Sequence, residues 1–220
     1  LDTLADREQA AGAWLHIDGA FGLWAAASPK LRHLTQGMER ADSWSADAHK
    51  TLNAPYDSGI VLCRRREALV RAMQAAGSYL QYSAARDGML YTPEMSRRAR
   101  GVELWATLRY LGREGVALLV ERLCENARDF ARRLAQHGFI VENDVVFNQI
   151  VVRCGSDALT AATLRNIQTG GVCWCGGAMW QGRSVIRISV CSWRTTAEDI
   201  EACVAEFARA RTSAEAEQAR

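Results

Sequence analysis

Short apolar runs alternate with stretches of helical spacing in the first third of the chain. This pattern predicts a helix over residues 1–11, strands at residues 14–18, 43–46 and 58–63, and a second helix over residues 31–41. The third strand is apolar enough for us to expect burial of both its faces. Helices that alternate with strands are typical of a mostly parallel sheet. We therefore predict an α/β domain here.

The middle of the chain changes character. Residues 77–93 contain three tyrosines and two glycines with no sustained period, which indicates a long loop. Loops of this length are often active-site lids. Apolar positions at helical spacing then predict helices over residues 96–111 and 114–137, and Gly138 is a suitable C-cap for the second helix.

The last third of the chain has the pattern of a small α+β domain. Four short strands are predicted, at residues 138–141, 148–153, 172–175 and 185–190. Their lengths favour an antiparallel sheet with one solvated face. A helix is expected over residues 157–169. A last helix is expected to begin at Thr195, which has Glu198 at the spacing of a capping box.

These elements suggest a division of the chain. We expect residues 1–95 to be part of a larger domain, residues 96–113 to be a connecting helix, and residues 114–211 to be a small α+β domain. Residues 212–220 are rich in Ala, Glu and Arg and are expected to fray. The chain opens without Met inside a predicted helix, so we expect it to be the end of a longer protein.

Composition excludes several classes of protein. The 220 residues are 49% hydrophobic and 24% charged, with a net charge of +2, which gives no reason to expect nucleic acid or an anionic membrane as partner. No apolar run approaches the roughly 18 residues of a membrane span, and the N-terminus lacks a signal-peptide pattern. Seven scattered cysteines indicate reduced thiols in a cytoplasmic protein. The lone pair Cys173 and Cys175 has no second ligand pair nearby, so no metal site is expected.

Asp18 and Lys50 are the candidate catalytic pair. Asp18 ends one predicted apolar strand, and Lys50 lies just past the next. Open α/β sheets place ligands at this edge. A carboxylate that can hold a pyridine nitrogen protonated, beside a lysine that can bind an aldehyde as a Schiff base, is what pyridoxal phosphate requires. His16 shares the side of the strand with Asp18, where it either lines the site or serves a structural role.

Five motifs carry a resemblance to the pyridoxal phosphate-dependent amino acid decarboxylases. They are His16-Ile-Asp18-Gly-Ala20, Asp47-Ala-His49-Lys50-Thr-Leu-Asn53, Pro55-Tyr-Asp57-Ser-Gly59, Ser96-Arg97-Arg98 and Arg187-Ile-Ser-Val-Cys-Ser-Trp193-Arg-Thr195. The chain resembles the C-terminal half of the group II members, which include the aromatic amino acid, glutamate and diaminobutyrate decarboxylases. The implied fold is the C-terminal part of a fold-type I enzyme.

The resemblance implies roles for the residues around the cofactor. Lys50 resembles the Schiff-base lysine, and we expect it among apolar strand ends, where desolvation favours the neutral amine. Asp18 resembles the partner of the pyridine nitrogen, and Ala20 resembles the residue that packs beneath the ring. Gly19 stands where the family often has Ala. The alternatives are a solvated surface lysine and a turn aspartate.

Further roles are implied outside this pair. His49 resembles the residue near the cofactor phosphate, and Tyr79 the mobile-loop tyrosine that protonates the α-carbon. Arg97 and Arg98 resemble paired arginines that begin the long helix and contact substrate carboxylate or the partner subunit's cofactor phosphate. A structural histidine, a surface aromatic and a solvated helix start are the alternatives. We expect Asp47 to face a backbone N–H or a cation, because its carboxylate would repel a phosphate.

The implied activity is decarboxylation of an L-amino acid by a homodimer. An aminotransferase remains an alternative, because it also needs the aspartate and the lysine. A truncated, catalytically incompetent fold module is the other alternative, since the resemblance covers half of a family member.

Overall fold

The computed structural model describes residues 1–75, 77–82 and 85–219. The chain divides into two compact units, Leu1–Val116 and Ala117–Arg220. We consider each unit by itself. The finer division predicted above, with a connecting helix over residues 96–113, stays a prediction.

The first unit contains a three-stranded sheet. Its helices and strands are α1 (Asp2–Ala11), β1 (His16–Asp18), β2 (Ser43–Asp47), β3 (Gly59–Cys63) and α2 (Arg66–Met73), with 3₁₀ helices at Gly22–Ala27, Arg32–Thr35, Met38–Arg40 and Gly88–Tyr91. The strand order is β1-β2-β3. Strands β1 and β2 are parallel, as expected from the alternation of elements, whereas β2 and β3 are antiparallel.

The predicted helix over residues 31–41 is wrong. The segment forms two short 3₁₀ helices, because Gly37 adopts a left-handed conformation with φ of 84°. A side chain at Gly37 would also collide with α1, since its Cβ would lie 2.9 Å from the backbone nitrogen of Asp2. The close approach of α1 therefore fixes a turn where the spacing alone indicated a continuous helix.

The expected burial of the third strand is also wrong. Strand β3 forms at the predicted place, yet Val61 and Leu62 are 56% and 52% exposed. Strand β3 lies at the edge of its sheet, and the described part of the chain places no layer over these side chains. The apolar sequence therefore predicts the strand correctly but does not predict whether its side chains are buried.

The second unit is an antiparallel sheet with helices. Helix α3 (Gly101–Gln136) runs into it from the first unit and is interrupted at Gly112, and the other elements are β4 (Ile140–Val141), β5 (Gln149–Arg153), α4 (Asp157–Gly170), β6 (Gly176–Trp180), β7 (Arg183–Ser189) and α5 (Ala197–Gln218). The strand order is β4-β5-β7-β6, and every neighbouring pair is antiparallel. The predicted antiparallel α+β unit is confirmed.

The core of this unit lies between the sheet and the helices. Ile150 and Val152 on β5 are fully buried and pair with Ile188 and Ile186 on β7. Phe207 on α5 is 1% exposed and forms edge-to-face contacts with Phe130 and Phe139, each at 5.6 Å between ring centroids. Such aromatic pairs are favourable beyond the area that they bury.

Two features of the last helices differ from the sequence prediction. The capping box of α5 uses Thr196 and Asp199, one residue later than expected. The helix then continues to Gln218, so the prediction of a frayed tail from residue 212 is wrong. Buried Ala214 and an ion pair between Arg211 and Glu215 explain the extension, because both add helix-stabilising contacts in the last turns.

The strand predicted at residues 172–175 is wrong as well. Strand β6 begins only at Gly176, immediately after that segment. Gln181 and Gly182, both with positive φ, form the two-residue turn between β6 and β7. Pairing of Trp180 with Arg183 across this turn sets the register of the hairpin, which therefore starts later than the apolar run suggested.

Candidate active site

The carboxyl ends of β1 and β2 lie side by side. The parallel register pairs Asp18 with Ser45. Gly19 N–H donates to Ser45 O at 2.9 Å, and Asp47 N–H donates to Ala20 O at 3.2 Å. The two segments that leave the strands are thus joined by their backbones, which brings the predicted Asp18 motif against the predicted Lys50 motif.

Asp18 presents an exposed carboxylate at this edge. Its Oδ1 accepts hydrogen bonds from Ala20 N–H at 3.2 Å and from the Ser45 hydroxyl at 3.3 Å. Gly19 is required beside it, because a Cβ there would lie 2.5 Å from the Leu23 Cβ. The departure from the family's usual Ala therefore has a local steric reason in this chain.

Lys50 lies in the turn that follows β2. Its Nζ is 2.7 Å from Asp47 Oδ2 and 4.9 Å from the centroid of the Phe21 ring, and the side chain is 34% exposed. Lys50 was expected among apolar strand ends, and it contacts the Phe21 ring, but the turn also returns its amine to the carboxylate three residues earlier. The expectation that Asp47 faces a cation is confirmed.

His49 is half-buried and fixed from two sides. Its Nδ1 lies 3.0 Å from both Ser58 N and Ser58 O, and because Ser58 O already accepts from Ala48 N–H at 2.9 Å, acceptance from Ser58 N–H satisfies both backbone groups. This arrangement favours the tautomer that carries its proton on Nε2. The Tyr56 ring packs on the imidazole with 4.2 Å between centroids. His49 Nε2 lies 4.0 Å from Asp47 Oδ2.

His16 shares the exposed face of β1 with Asp18. In β1 the residue between them, Ile17, turns the other way toward a small core that contains Ala5 and Leu15. The His16 Nδ1 is hydrogen-bonded to the Ser43 hydroxyl at 2.7 Å, and Trp14 Nε1 donates to the same oxygen at 2.8 Å. The histidine therefore has a local structural partner on the side of the strand that carries Asp18.

Tyr79 is not brought to the Asp18 and Lys50 cluster by any contact among the described residues. Its side chain is 78% exposed. The ring folds back along its own loop, where a Cβ on Gly77 would lie 3.1 Å from Tyr79 Cε1. The neighbouring Ala76, Ser83 and Ala84 lie outside the described residues. The lid role of this loop stays a prediction.

Arg97 and Arg98 do not begin the long helix, which corrects the prediction. Helix α3 starts at Gly101, after a turn in which Arg100 N–H donates to Arg98 O at 2.9 Å. Arg97 lies 3.9 Å from Glu94, and Arg98 lies 3.4 Å from Glu103. Both arginines thus have carboxylate partners.

An open cavity of about 670 Å³ adjoins the end of β2. Arg97, Arg98 and Asp47 all line it, so the paired arginines share a cavity with the carboxylate that contacts Lys50. Asp57 also lines it and forms a two-pronged ion pair with Arg100 at 2.8 and 3.2 Å. Hydrogen bonding from Arg100 lowers the pKa of Asp57 below its usual value.

Sequence reasoning missed three contributors to this site. Phe21 lies under the Lys50 amine, Ser45 holds Asp18, and Ser58 orients His49. Their positions in the sequence were the available signal. Ser45 lies two residues before Asp47 on β2, and Phe21 directly follows the Asp18 motif. Contacts across strands of this kind depend on register, which the sequence pattern did not specify.

The site fits pyridoxal phosphate in its donor groups. Asp18 offers an exposed carboxylate whose Oδ2 takes no part in the two hydrogen bonds to Oδ1, and Lys50 offers a partly exposed amine in the turn after the adjacent strand. No group of three or more His, Cys, Asp or Glu residues that could hold a metal ion occurs in residues 1–75, 77–82 and 85–219. None of the helices over the same residues has the length and apolar character needed to span a bilayer.

Known proteins resemble this chain along nearly its whole length. A family model described as "Pyridoxal-dependent decarboxylase conserved domain" matches residues 1–154. Aromatic-L-amino-acid decarboxylase of Drosophila lebanonensis is 29% identical over 210 residues, which cover 93% of this chain and 52% of the relative. Histidine decarboxylase of Drosophila melanogaster is 30% identical over 192 residues, which cover 85% of this chain and 23% of the relative.

A solved structure shows the same fold. The crystal structure of Oryza sativa TDC with PLP and tryptamine matches with a TM-score of 0.88 and 21% identity, over 96% of this chain and 47% of that chain. The chain therefore spans about half, or less, of the length of the relatives that it matches.

Proposed function

The chain belongs to the pyridoxal-dependent decarboxylase family, and we propose that the full-length protein converts an L-amino acid to its amine and carbon dioxide. The cofactor of this family is pyridoxal phosphate, and the fold is part of the fold-type I architecture, as expected from the motifs. The observation that supports the proposal best is the placement of Asp18 and Lys50 at the carboxyl ends of adjacent parallel strands.

Asp18 and Lys50 take the central roles. We assign the Asp18 carboxylate to the pyridine nitrogen, where Oδ2 accepts the ring N–H while Oδ1 keeps its bonds to Ala20 and Ser45. The Lys50 amine would bind the cofactor through its aldehyde carbon. When bound, the cofactor supplies an electron sink for the bond that breaks at the substrate α-carbon. The chain contributes orientation and charge placement.

The surrounding side chains take supporting roles in this proposal. His49 directs Nε2–H toward the end of β2, where it can donate to a phosphate oxygen, and Ala20 packs beneath the ring. Tyr79, as the counterpart of the family's mobile-loop tyrosine, would donate the proton to the α-carbon after carbon dioxide leaves. Arg97 and Arg98 bind the substrate carboxylate or the partner subunit's phosphate, after release of their present carboxylate partners.

A trapping experiment tests the assignment of Lys50 cleanly. The 220 residues contain only two lysines, Lys30 and Lys50, so a reduced adduct within them lies on one of these two side chains. The full-length protein is loaded with pyridoxal phosphate, reduced with borohydride, digested and mapped by mass spectrometry. We expect the label on Lys50, its loss in Lys50→Ala, and its retention in the matched control Lys30→Ala. A label confined to Lys30, or none, would contradict the assignment.

The product decides between decarboxylation and amino transfer. Both reactions need the aspartate and the lysine, so the site geometry alone does not separate them. Family membership favours decarboxylation. Production of a keto acid without carbon dioxide would support the aminotransferase alternative, and a full-length protein that retains no cofactor would support the incompetent fold module.

We also propose, from the family resemblance, that the full-length protein is a cytoplasmic homodimer whose substrate is a free amino acid. Arg97 and Arg98 have a partner-subunit role only in such an assembly. Light scattering of the cofactor-loaded protein tests the assembly, and a monomer at assay concentration would rule it out. The division into a sheet domain, a connecting helix and a small α+β domain is part of the same proposal.

A further inference from the structure

The Asp47 carboxylate contacts the Lys50 amine directly, although the chemistry proposed for Lys50 makes no use of Asp47. Asp47 Oδ2 and Lys50 Nζ are 2.7 Å apart, which is the distance of a charge-assisted hydrogen bond. The two side chains are 24% and 34% exposed. The pair therefore stands at the point where the cofactor's aldehyde is expected to bind.

The backbone fixes both ends of this ion pair. Asp47 N–H donates to Ala20 O at 3.2 Å, and Asp47 O accepts from Trp24 Nε1 at 3.1 Å. Lys50 O accepts from Asn53 N–H at 3.2 Å in the turn after β2. Since both residues are held before their side chains meet, the pair loses less conformational entropy than a pair on two mobile surface segments.

Other charged groups around Asp47 are further away or otherwise engaged. His49 Nε2 lies 4.0 Å from the same Oδ2, too far for a hydrogen bond. Arg97 and Arg98 line the same cavity but have carboxylate partners of their own. Lys50 is thus the cation that Asp47 holds directly in the described part of the chain.

An ammonium in this pair is chemically inert toward an electrophile, because it has three N–H donors and no lone pair. Bond formation at Lys50 therefore requires the amine to leave the Asp47 carboxylate as well as to lose one proton to solvent. The same carboxylate repels an approaching phosphate once it is unpaired. Asp47 is thus placed to hold the amine in the cofactor-free protein and to slow its capture of an aldehyde.

We propose that Asp47 is the internal counterion of Lys50, a positioning residue that holds the amine at the end of β2 until the cofactor enters. The importance of this amine rests on the proposed function, whereas the ion pair itself is open to a test that needs no cofactor. Asp57 provides a matched control, because it lines the same cavity and is paired with Arg100.

The test measures the acylation of Lys50 relative to Lys30 in the cofactor-free full-length protein. A limiting amount of the N-hydroxysuccinimide ester of acetic acid is added at neutral pH, and the two lysine peptides are quantified by mass spectrometry. Lys30 is exposed and serves as the internal standard. Asp47→Asn should raise the Lys50 to Lys30 ratio about twofold to fivefold, the range of a partly exposed ion pair. Asp47→Glu and Asp57→Asn should stay near the wild-type ratio.

Two results would overturn the inference: an unchanged ratio in Asp47→Asn, or an equal rise in Asp57→Asn. If Asp47→Asn does not fold, the wild-type protein gives the answer, because salt screens an ion pair. The yield of acylated Lys50 itself should then rise between low salt and about 1 M sodium chloride, and a flat profile would overturn the inference. Borohydride trapping of pyridoxal phosphate on the wild type is run in parallel. If no adduct is trapped, the proposed function is refuted. The acylation result then still tests whether Asp47 holds the Lys50 amine.

Discussion

Replacement of Asp18 by Asn should weaken the binding of pyridoxal phosphate without disturbing the local fold. An asparagine keeps the Oδ1 acceptor for Ala20 N–H and for the Ser45 hydroxyl, which Asp18 now bonds at 3.2 and 3.3 Å. It removes the negative charge that favours a protonated pyridine nitrogen. A hydrogen bond to a charged group contributes about 1.5–3 kcal/mol. At about 1.4 kcal/mol per factor of ten, this corresponds to an increase in Kd of about 10-fold to 150-fold.

The assay is a titration of the full-length apoprotein with pyridoxal phosphate, followed by absorbance. Ser45→Ala is the matched control, because it removes one long, solvent-exposed hydrogen bond to Asp18 Oδ1 and keeps the negative charge. Its Kd should rise less than about tenfold. Equal affinities for Asp18→Asn, Ser45→Ala and the wild type would refute the assignment of Asp18 to the ring nitrogen.

Three further predictions concern the second unit. Phe207→Ala should destabilise it by about 3–5 kcal/mol, because the buried ring contacts two other aromatic rings, whereas Leu118→Ala at an exposed site should change the free energy of unfolding by less than about 0.5 kcal/mol in urea denaturation. Thr196→Ala removes the side-chain acceptor for the Asp199 N–H in the capping box and should cost about 1 kcal/mol, measured in the same way. Burial raises the pKa of the Cys124 thiol from 9.0 to about 11 and that of Cys175 to about 12. The stability that their protonated forms contribute is therefore complete below pH 9 and should fall, by at most about 1.4 kcal/mol per pH unit for each thiol, as the pH rises toward those values. Equilibrium unfolding at a series of pH values checks it, and constant stability from pH 9 to pH 11 would contradict it.

Local patterns predicted the elements whose signals are contained within a few residues. The helices that begin near residues 1 and 157 and the strands at β1, β2, β5 and β7 follow from spacing and caps alone. Local sequence patterns were insufficient to predict features that depend on contacts between distant segments. Gly37 ends a helical pattern because α1 passes close to it, and Val61 remains exposed because of where β3 lies in its sheet. Neither cause is visible in the neighbouring sequence.

The candidate site shows the same limit. The residue types and spacing of Asp18 and Lys50 were sufficient to indicate the cofactor, because that chemistry constrains both residues closely. The partner of Lys50 was not predicted, since an i,i+3 contact with Asp47 depends on how the turn after β2 closes. The sequence pattern also placed the start of the long helix at Ser96, whereas α3 begins at Gly101 and leaves Arg97 and Arg98 in the preceding turn.

Release of labelled carbon dioxide tests the central claim most directly. The full-length protein, loaded with pyridoxal phosphate, is incubated with a panel of L-amino acids labelled at the carboxyl carbon, beside Lys50→Ala and Lys30→Ala. We predict labelled carbon dioxide and the corresponding amine from at least one amino acid, loss of both in Lys50→Ala, and their retention in Lys30→Ala. A cofactor-loaded protein that releases no carbon dioxide from any amino acid, or a Lys50→Ala variant with full activity, would contradict the account.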